Sequence, residues 1–183
     1  MKSSKASRAW INEHVNDFYV KQAQKVGYRS RAAYKLIEIA QRDQLFSPGM
    51  IVVDLGAAPG SWSQVCRERI GKSGKIIALD ILMMLPLDGV AFIQGDFSEE
   101  KVCKIIEDHL AGELADLVLS DMSPNLAGIG MSDQARSINL AELALSFANN
   151  KLKPGGSFLV KIFQGSYVDQ FIQDMRPHFK KVM

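Results

Sequence analysis

Four aspartates stand where short apolar runs end. Asp54 follows Ile51-Val52-Val53, Asp80 follows Ile76-Ile77-Ala78-Leu79, Asp96 comes just after Val90–Gln94, and Asp121 follows Leu117-Val118-Leu119-Ser120. A fifth run, Ser157 to Phe163, holds Lys161 inside it. A carboxylate fixed at a strand tip can accept hydrogen bonds from ribose hydroxyls or from an amino edge. Any one of these aspartates could simply open a turn; four on one rim read as a binding site. Asp54 is followed by Gly56-Ala57-Ala58-Pro59-Gly60, and glycines at such a turn let the backbone approach a ligand closely. A dinucleotide turn would be Gly-x-Gly-x-x-Gly, and a P-loop would end in Gly-Lys-Ser/Thr. The chain has neither. The turn suits a nucleoside cofactor without a pyrophosphate, and S-adenosylmethionine, with its ribose, adenine and amino-acid tail, fits that description.

The elements that must position these residues alternate. Strands are expected over Ile51–Asp54, Lys75–Asp80, Val90–Gln94, Ala115–Ser120 and Ser157–Phe163. Helices are expected over 9–25, from Arg31 to Ala40 with Ser30 as its cap, and over Ser61–Ile70, Glu99–Leu110, Asp133–Asn149 and Tyr167–Met175. Asn12 or Ser7 could cap the first of these. Lys153-Pro154-Gly155-Gly156 reads as a turn, Met122–Met131 as a loop too long for a plain connection, and Phe179–Met183 as the start of another strand. Strands alternating with helices predict an α/β, Rossmann-like fold with a mainly parallel sheet and helices on both faces. Ligands in such folds gather at the carboxyl ends of the strands, where the four aspartates lie.

With 183 residues, 47% hydrophobic and 23% charged, the chain is sized for one domain with a substantial core. We divide it into a basic helical segment, 1–50, and a Rossmann-like core, 51–183. The net charge of +2 conceals an asymmetry: residues 1–50 carry nine Lys/Arg against four acids, a net +5, and the remaining 133 residues sum to −3. A basic arm on a near-neutral body implies a polyanionic partner. Trp10, Tyr19, Tyr28 and Tyr34 are interleaved with the basic residues and could stack on exposed bases, although some must belong to the core. Cys66 and Cys103 have no metal-ligand spacing, and the histidines are scattered, so no metal site is expected. No run is long enough for a membrane span, and the N-terminus lacks the apolar stretch of a secretory signal, so a cytoplasmic location is expected. Nothing argues for a dimer; a monomer is expected.

The stretch Asp54-Leu55-Gly56-Ala57-Ala58-Pro59-Gly60-Ser61-Trp62-Ser63-Gln64 closely resembles the cofactor motif of the FtsJ/RrmJ-type RNA 2′-O-methyltransferases. The likeness continues in Ser30-Arg31-Ala32-Ala33-Tyr34-Lys35-Leu36, in Leu119-Ser120-Asp121-Met122-Ser123-Pro124-Asn125 and in Phe158-Leu159-Val160-Lys161-Ile162-Phe163-Gln164-Gly165, covering nearly the whole chain in order. Ser61 departs from the family's second glycine but is small. The resemblance implies S-adenosylmethionine contacts at Gly60, Trp62, Asp80, Asp96 and Asp121. It implies a catalytic set of Lys35, Asp121 and Lys161, with Lys161 as the general base. It implies, as substrate, the ribose 2′-hydroxyl of a uridine in large-subunit ribosomal RNA, met within the ribosomal subunit. The family's fourth catalytic residue, a glutamate on a final strand, has no match here, because Asp169 and Asp174 are the only acids after Lys161. The chain is therefore expected to be shorter than the family at its C-terminus. Two other readings stay open: a methyltransferase of another substrate class, and a non-catalytic RNA-binding module with a vestigial pocket.

Overall fold

The computed structural model describes residues 18–124 and 130–183. Helices α1 (Phe18–Val26) and α2 (Ala32–Asp43) lead into β1 (Ile51–Leu55), α3 (Ser61–Ile70), β2 (Lys75–Asp80), β3 (Val90–Gln94), α4 (Glu100–Leu110) and β4 (Ala115–Ser120). Then follow α5 (Gly130–Lys151), β5 (Leu152–Val160) and α6 (Val168–Met175). The strands form one sheet in the order β3-β2-β1-β4-β5, and all four pairings are parallel.

Side-chain alternation explains why the sheet is covered on both sides. Val53, Leu55, Ile77, Leu79 and Val118 face one way, into a core shared with Val102, Ile106 and Leu110 of α4 and Ala144, Phe147 and Ala148 of α5. Val52, Ile76, Leu117 and Leu119 face the other way, against Ala33 and Leu36 of α2 and Trp62, Val65, Cys66 and Ile70 of α3. Successive residues of a strand point to opposite faces, so a strand buried on both must be apolar throughout. Each fully buried aliphatic side chain contributes roughly 1.5–3 kcal/mol. The helices carry matching stripes: Val102, Ile106 and Leu110 recur every four residues along α4, and α2 buries Ala33, Leu36 and Ala40. Both end on a residue in the left-handed region, Gln44 (φ 52°) after α2 and Ala111 (φ 53°) after α4.

The sheet order fixes where a ligand can sit. From β1 the chain moves outward through β2 and β3, then returns to place β4 on β1's other side. The β1–β4 junction is the topological switch point, and the connections leaving the two strands open a crevice at their carboxyl ends.

Several expectations need correction. The fifth strand runs from Leu152 to Val160, so Lys161 stands one residue beyond its end rather than inside it. Its backbone N–H still reaches the Ser120 carbonyl, at 2.8 Å. The Lys153–Gly156 stretch is not a separate turn but an irregularity within β5: Ala115 pairs with Leu152 and Leu117 with Ser157, so the extra residues bulge out. Gly155, at φ 81°, supplies the left-handed backbone. The residues 179–183 form no strand. Phe179 instead stacks on Phe158 (centroids 6.0 Å, interplanar angle 19°), which makes it a core contact rather than a ladder partner. Helix α5 is longer than expected at both ends. Of the first expected helix only Phe18–Val26 is described, and Asn12, Ser7 and Trp10 lie outside the described residues. Helix α2 begins at Ala32, one residue later than expected, but Ser30 Oγ accepts from the Ala32 N–H at 3.2 Å, the bond expected of Ser30 as the cap.

Candidate active site

A cleft of about 310 Å³ lies at the switch point, lined by Gly56 and Ala58 after β1, Asp80 and Leu82 after β2, Asp96 and Phe97 after β3, and Asp121, Ser123 and Pro124 after β4. A second cleft, at the opposite ends of the strands, holds Lys75, Glu113, Asp116 and Lys153. There Lys75 pairs with Glu113 and Lys153 with Asp116, so its charges neutralise one another.

The three rim aspartates of the first cleft are held differently. Both oxygens of Asp80 accept backbone N–H bonds at 2.8 Å, Oδ2 from Ala58 and Oδ1 from Leu82. The carboxylate is thereby locked in orientation, while each oxygen keeps a second lone pair for a ligand. Asp96 accepts from the Ser98 hydroxyl (2.7 Å) and N–H (2.8 Å) through one oxygen. These bonds hold its carboxyl below the usual range, so it is ionised at neutral pH. Asp121 is bonded to Lys161 twice: Nζ lies 2.6 Å from its Oδ1 and donates to its main-chain carbonyl at 2.9 Å. Burial pushes the Asp121 carboxyl up, Lys161 pulls it back, and Asp80 adds a small upward push.

Asp54 lies beneath the glycine turn and is fully buried. Its Oδ2 accepts the Ser63 hydroxyl at 2.6 Å, while Oδ1 has no partner. Burial drives its carboxyl up to about 7, with Ser63 opposing and Asp121 and Asp80 adding to the rise.

The other residues singled out from the sequence are placed as follows. Gly60 caps α3 at φ 107° and bonds its N–H to the Ala57 carbonyl at 2.6 Å. A Cβ there would come within 2.7 Å of both Arg29 Nη1 and Met84 Sδ. Trp62 is only 5% exposed, in the core between α3 and α2, with its indole N–H donated to the Ala32 carbonyl at 2.9 Å. It stands outside the cleft lining and fastens α2 to α3. Lys35 is exposed on α2, 3.8 Å from Glu38, and makes no bond to Asp121 or Lys161. The structure thus joins Asp121 to Lys161 and brings Asp80 and Asp96 to the same cleft, while Gly60, Trp62 and Lys35 do not line it.

Of the two turn glycines, only Gly60 is implied as a cofactor contact by the resemblance, yet it is Gly56 that lines the cleft. Gly56 has φ 77°, and a Cβ on it would sit 2.6 Å from Met122 N and 2.9 Å from Asp121 C. It is the point at which the β1 turn slides past the end of β4. Gly56→Ala is expected to cost about 2–3 kcal/mol through overpacking and left-handed strain. The urea midpoint checks this, and a loss below about 0.5 kcal/mol, the scale of an ordinary surface substitution, would show that the end of β4 yields.

A parallel, doubly wound sheet with ionised and backbone-oriented carboxylates at its switch point, and a lysine bonded to one of them, defines a Rossmann-like domain with a nucleoside-type site. The FtsJ-like methyltransferase family model matches residues 28–183, and the chain belongs to that family. It is 58% identical over its whole length to the ribosomal RNA large subunit methyltransferase E of Nitrosospira multiformis, covering 89% of that protein. It is 60% identical, with the same coverage, to the protein of that name from Nitrosomonas europaea. Among solved structures it resembles a Plasmodium falciparum protein described as a ribosomal RNA methyltransferase, with a TM-score of 0.78 and 32% identity over 85% of this chain and 90% of that one. No helix among the described residues is long and apolar enough to cross a membrane.

Proposed function

We propose that this protein methylates the ribose 2′-hydroxyl of a uridine in large-subunit ribosomal RNA, using S-adenosylmethionine as donor and Lys161 as base. The observation that carries the reading is the Lys161–Asp121 pair on the rim of the switch-point cleft. The relatives' shared name, ribosomal RNA large subunit methyltransferase E, supports the substrate.

The residues present suit the cofactor. Asp80, with its spare lone pairs, would take the ribose diol, and the free oxygen of Asp96 the adenine amino edge. The left-handed turn ending at Gly60 would receive the amino-acid tail, with Trp62 packing behind it and Asp121 alongside. When bound, S-adenosylmethionine supplies a methyl on a sulfonium, open to in-line displacement. A ribose hydroxyl is a weak nucleophile and must lose its proton as its oxygen forms the new O–CH₃ bond. Lys161, as the amine, takes that proton, and Asp121 holds Nζ in place through its carboxylate and its carbonyl. Lys35 would orient the hydroxyl once RNA arrives. Its solvated pairing with Glu38 is worth little and would release it at little cost. The protein would act as a monomer, in the cytoplasm, on the ribosomal subunit.

The test is transfer of labelled methyl to undermethylated large subunits, followed by nucleoside analysis. Label in 2′-O-methyluridine supports the reading. Label in a base, or in protein, overturns it.

Lys21, Lys25, Arg31 and Lys35 are exposed along α1 and α2 and would meet phosphates. Four such contacts should weaken RNA binding roughly 50-fold between 50 and 200 mM salt. A filter-binding titration checks this, and affinity that does not change with salt would count against a phosphate-contacting arm.

A further inference from the structure

By composition Arg29 is one of the nine basic residues of the N-terminal segment, a natural phosphate contact. Its guanidinium is committed elsewhere. Nη1 donates to the Pro59 carbonyl at 3.0 Å and to the Leu85 carbonyl at 2.7 Å, and Nη2 donates to the Pro86 carbonyl at 2.8 Å. Pro59 belongs to the turn after β1, and Leu85 and Pro86 to the connection after β2. These are the two loops that supply Ala58, Leu82 and Asp80 to the cleft. The two stretches also meet where Ala57 packs on Met84 and where the Ala58 N–H reaches Asp80 Oδ2 at 2.8 Å, and the arginine fork adds three bonds from Arg29 to Pro59, Leu85 and Pro86.

The base of the fork is fixed as well. The Arg29 N–H donates to Gln64 Oε1 at 2.9 Å, Gln64 Nε2 donates to the Gly27 carbonyl at 2.9 Å, and the Ser30 and Ser61 hydroxyls lie 2.8 Å apart. The α1–α2 connection is thus fastened to the first turns of α3, directly behind the glycine turn. The closeness of Gly60 completes the packing, since the Cβ of any other residue there would meet Nη1 at 2.7 Å.

We propose that Arg29 is a positioning residue of the cofactor pocket and not an RNA-phosphate contact: its fork sets the spacing of the Pro59 turn and the 81–89 loop, and with it the affinity for the cofactor. Arginine is required because a planar fork presents two nitrogens to carbonyls on separate loops, whereas lysine offers a single point charge. The proposal rests on the reading of the cleft as the S-adenosylmethionine pocket.

The experiment measures S-adenosylmethionine binding by calorimetry, KM and kcat for methyl transfer, and the salt slope of RNA binding, in wild type, R29A and R29K. Loss of one charge-assisted bond's worth of loop order weakens cofactor binding about tenfold or more in both variants. The KM for the cofactor rises in step, kcat at saturation stays within about threefold, and the salt slope is unchanged. A lesion of the fold alone would lower the active fraction, hence apparent kcat, and leave this KM where it was. Cofactor affinity retained in R29K overturns the proposal, as does a salt slope lower by about one with normal cofactor binding, the mark of a lost phosphate contact. An R29K that does not fold also overturns it, because it assigns Arg29 to the fold and not to the pocket. Wild type that fails to bind S-adenosylmethionine sinks the cofactor reading itself. Wild type that binds it without methylating RNA leaves the Arg29 comparison intact.

Discussion

Lys161→Ala is expected to lower kcat for methyl transfer by about 10²–10⁴-fold, the range removed with a positioned general base, while S-adenosylmethionine affinity stays within about threefold. The cleft keeps Asp80 and Asp96 in the variant, and their hydrogen bonds run to Ala58, Leu82 and Ser98, none of which involves Lys161. What disappears is the amine 2.6 Å from Asp121 Oδ1. Lys161→Arg separates the two things a lysine can offer here. Arginine keeps a cation beside Asp121 but cannot take up a proton, because its guanidinium stays protonated. If Lys161 is the base, arginine is as inactive as alanine; if it only neutralises Asp121, arginine restores most of the rate. Single-turnover kinetics on undermethylated subunits make the distinction. Methylation by Lys161→Ala at the wild-type rate would remove Lys161 from the chemistry.

The sheet was readable because its strands are buried on both faces. Such strands are apolar without alternation, and here each stops at or beside an aspartate, so β1 to β4 were found nearly to the residue. β5 was not, because Pro154-Gly155-Gly156 carries the composition of a turn while the structure uses it as a bulge inside the strand. The same ambiguity hid the end of the sheet. Phe179 and Val182 have strand-like side chains, but Phe179 is taken up by Phe158. At the site, the aspartates were legible because their role depends on their position along a strand. Asp121 and Lys161 were named together through the family motif alone; that they bond depends on β4 lying beside β5, an order the sequence does not carry. Arg29 was invisible for a physical reason: its acceptors are backbone carbonyls 30, 56 and 57 residues away, which every residue type possesses. Gly56 and Gly60 could not be ranked either, since which glycine lines a cleft depends on what passes beside it, here Met122 for one and Arg29 for the other.

Asp54→Asn is expected to become increasingly stabilising as pH rises from 5 to 8. Asp54 is fully buried and has one oxygen unpartnered, and its carboxyl is pushed up to about 7, first by burial. An aspartate in the unfolded chain titrates near about 3.9. Between those values the folded protein holds a proton that the unfolded chain has released, so this group's contribution is full below about pH 4 and is lost as pH rises through 7. The loss is on the order of 4 kcal/mol if nothing compensates the buried charge. Asparagine copies the neutral form: it keeps a carbonyl for the Ser63 hydroxyl and never ionises. At pH 5 the variant should be the more stable by about 1.5 kcal/mol, and at pH 8 by about 4 kcal/mol. Urea unfolding at a series of pH values reads this directly, and parallel curves for the two proteins would show that Asp54 is ionised throughout. The function of such an unfavourable group lies in its neighbours. Asp121 and Asp80 raise the proton affinity of Asp54, and Asp80 that of Asp121, around a cleft read as taking a cationic cofactor, and a bound positive charge relieves that repulsion. Adding S-adenosylmethionine should therefore flatten the wild-type stability curve toward high pH. In Asp54→Asn the added stability should vary far less with pH, because the carboxylate whose ionisation the cation would favour has been removed.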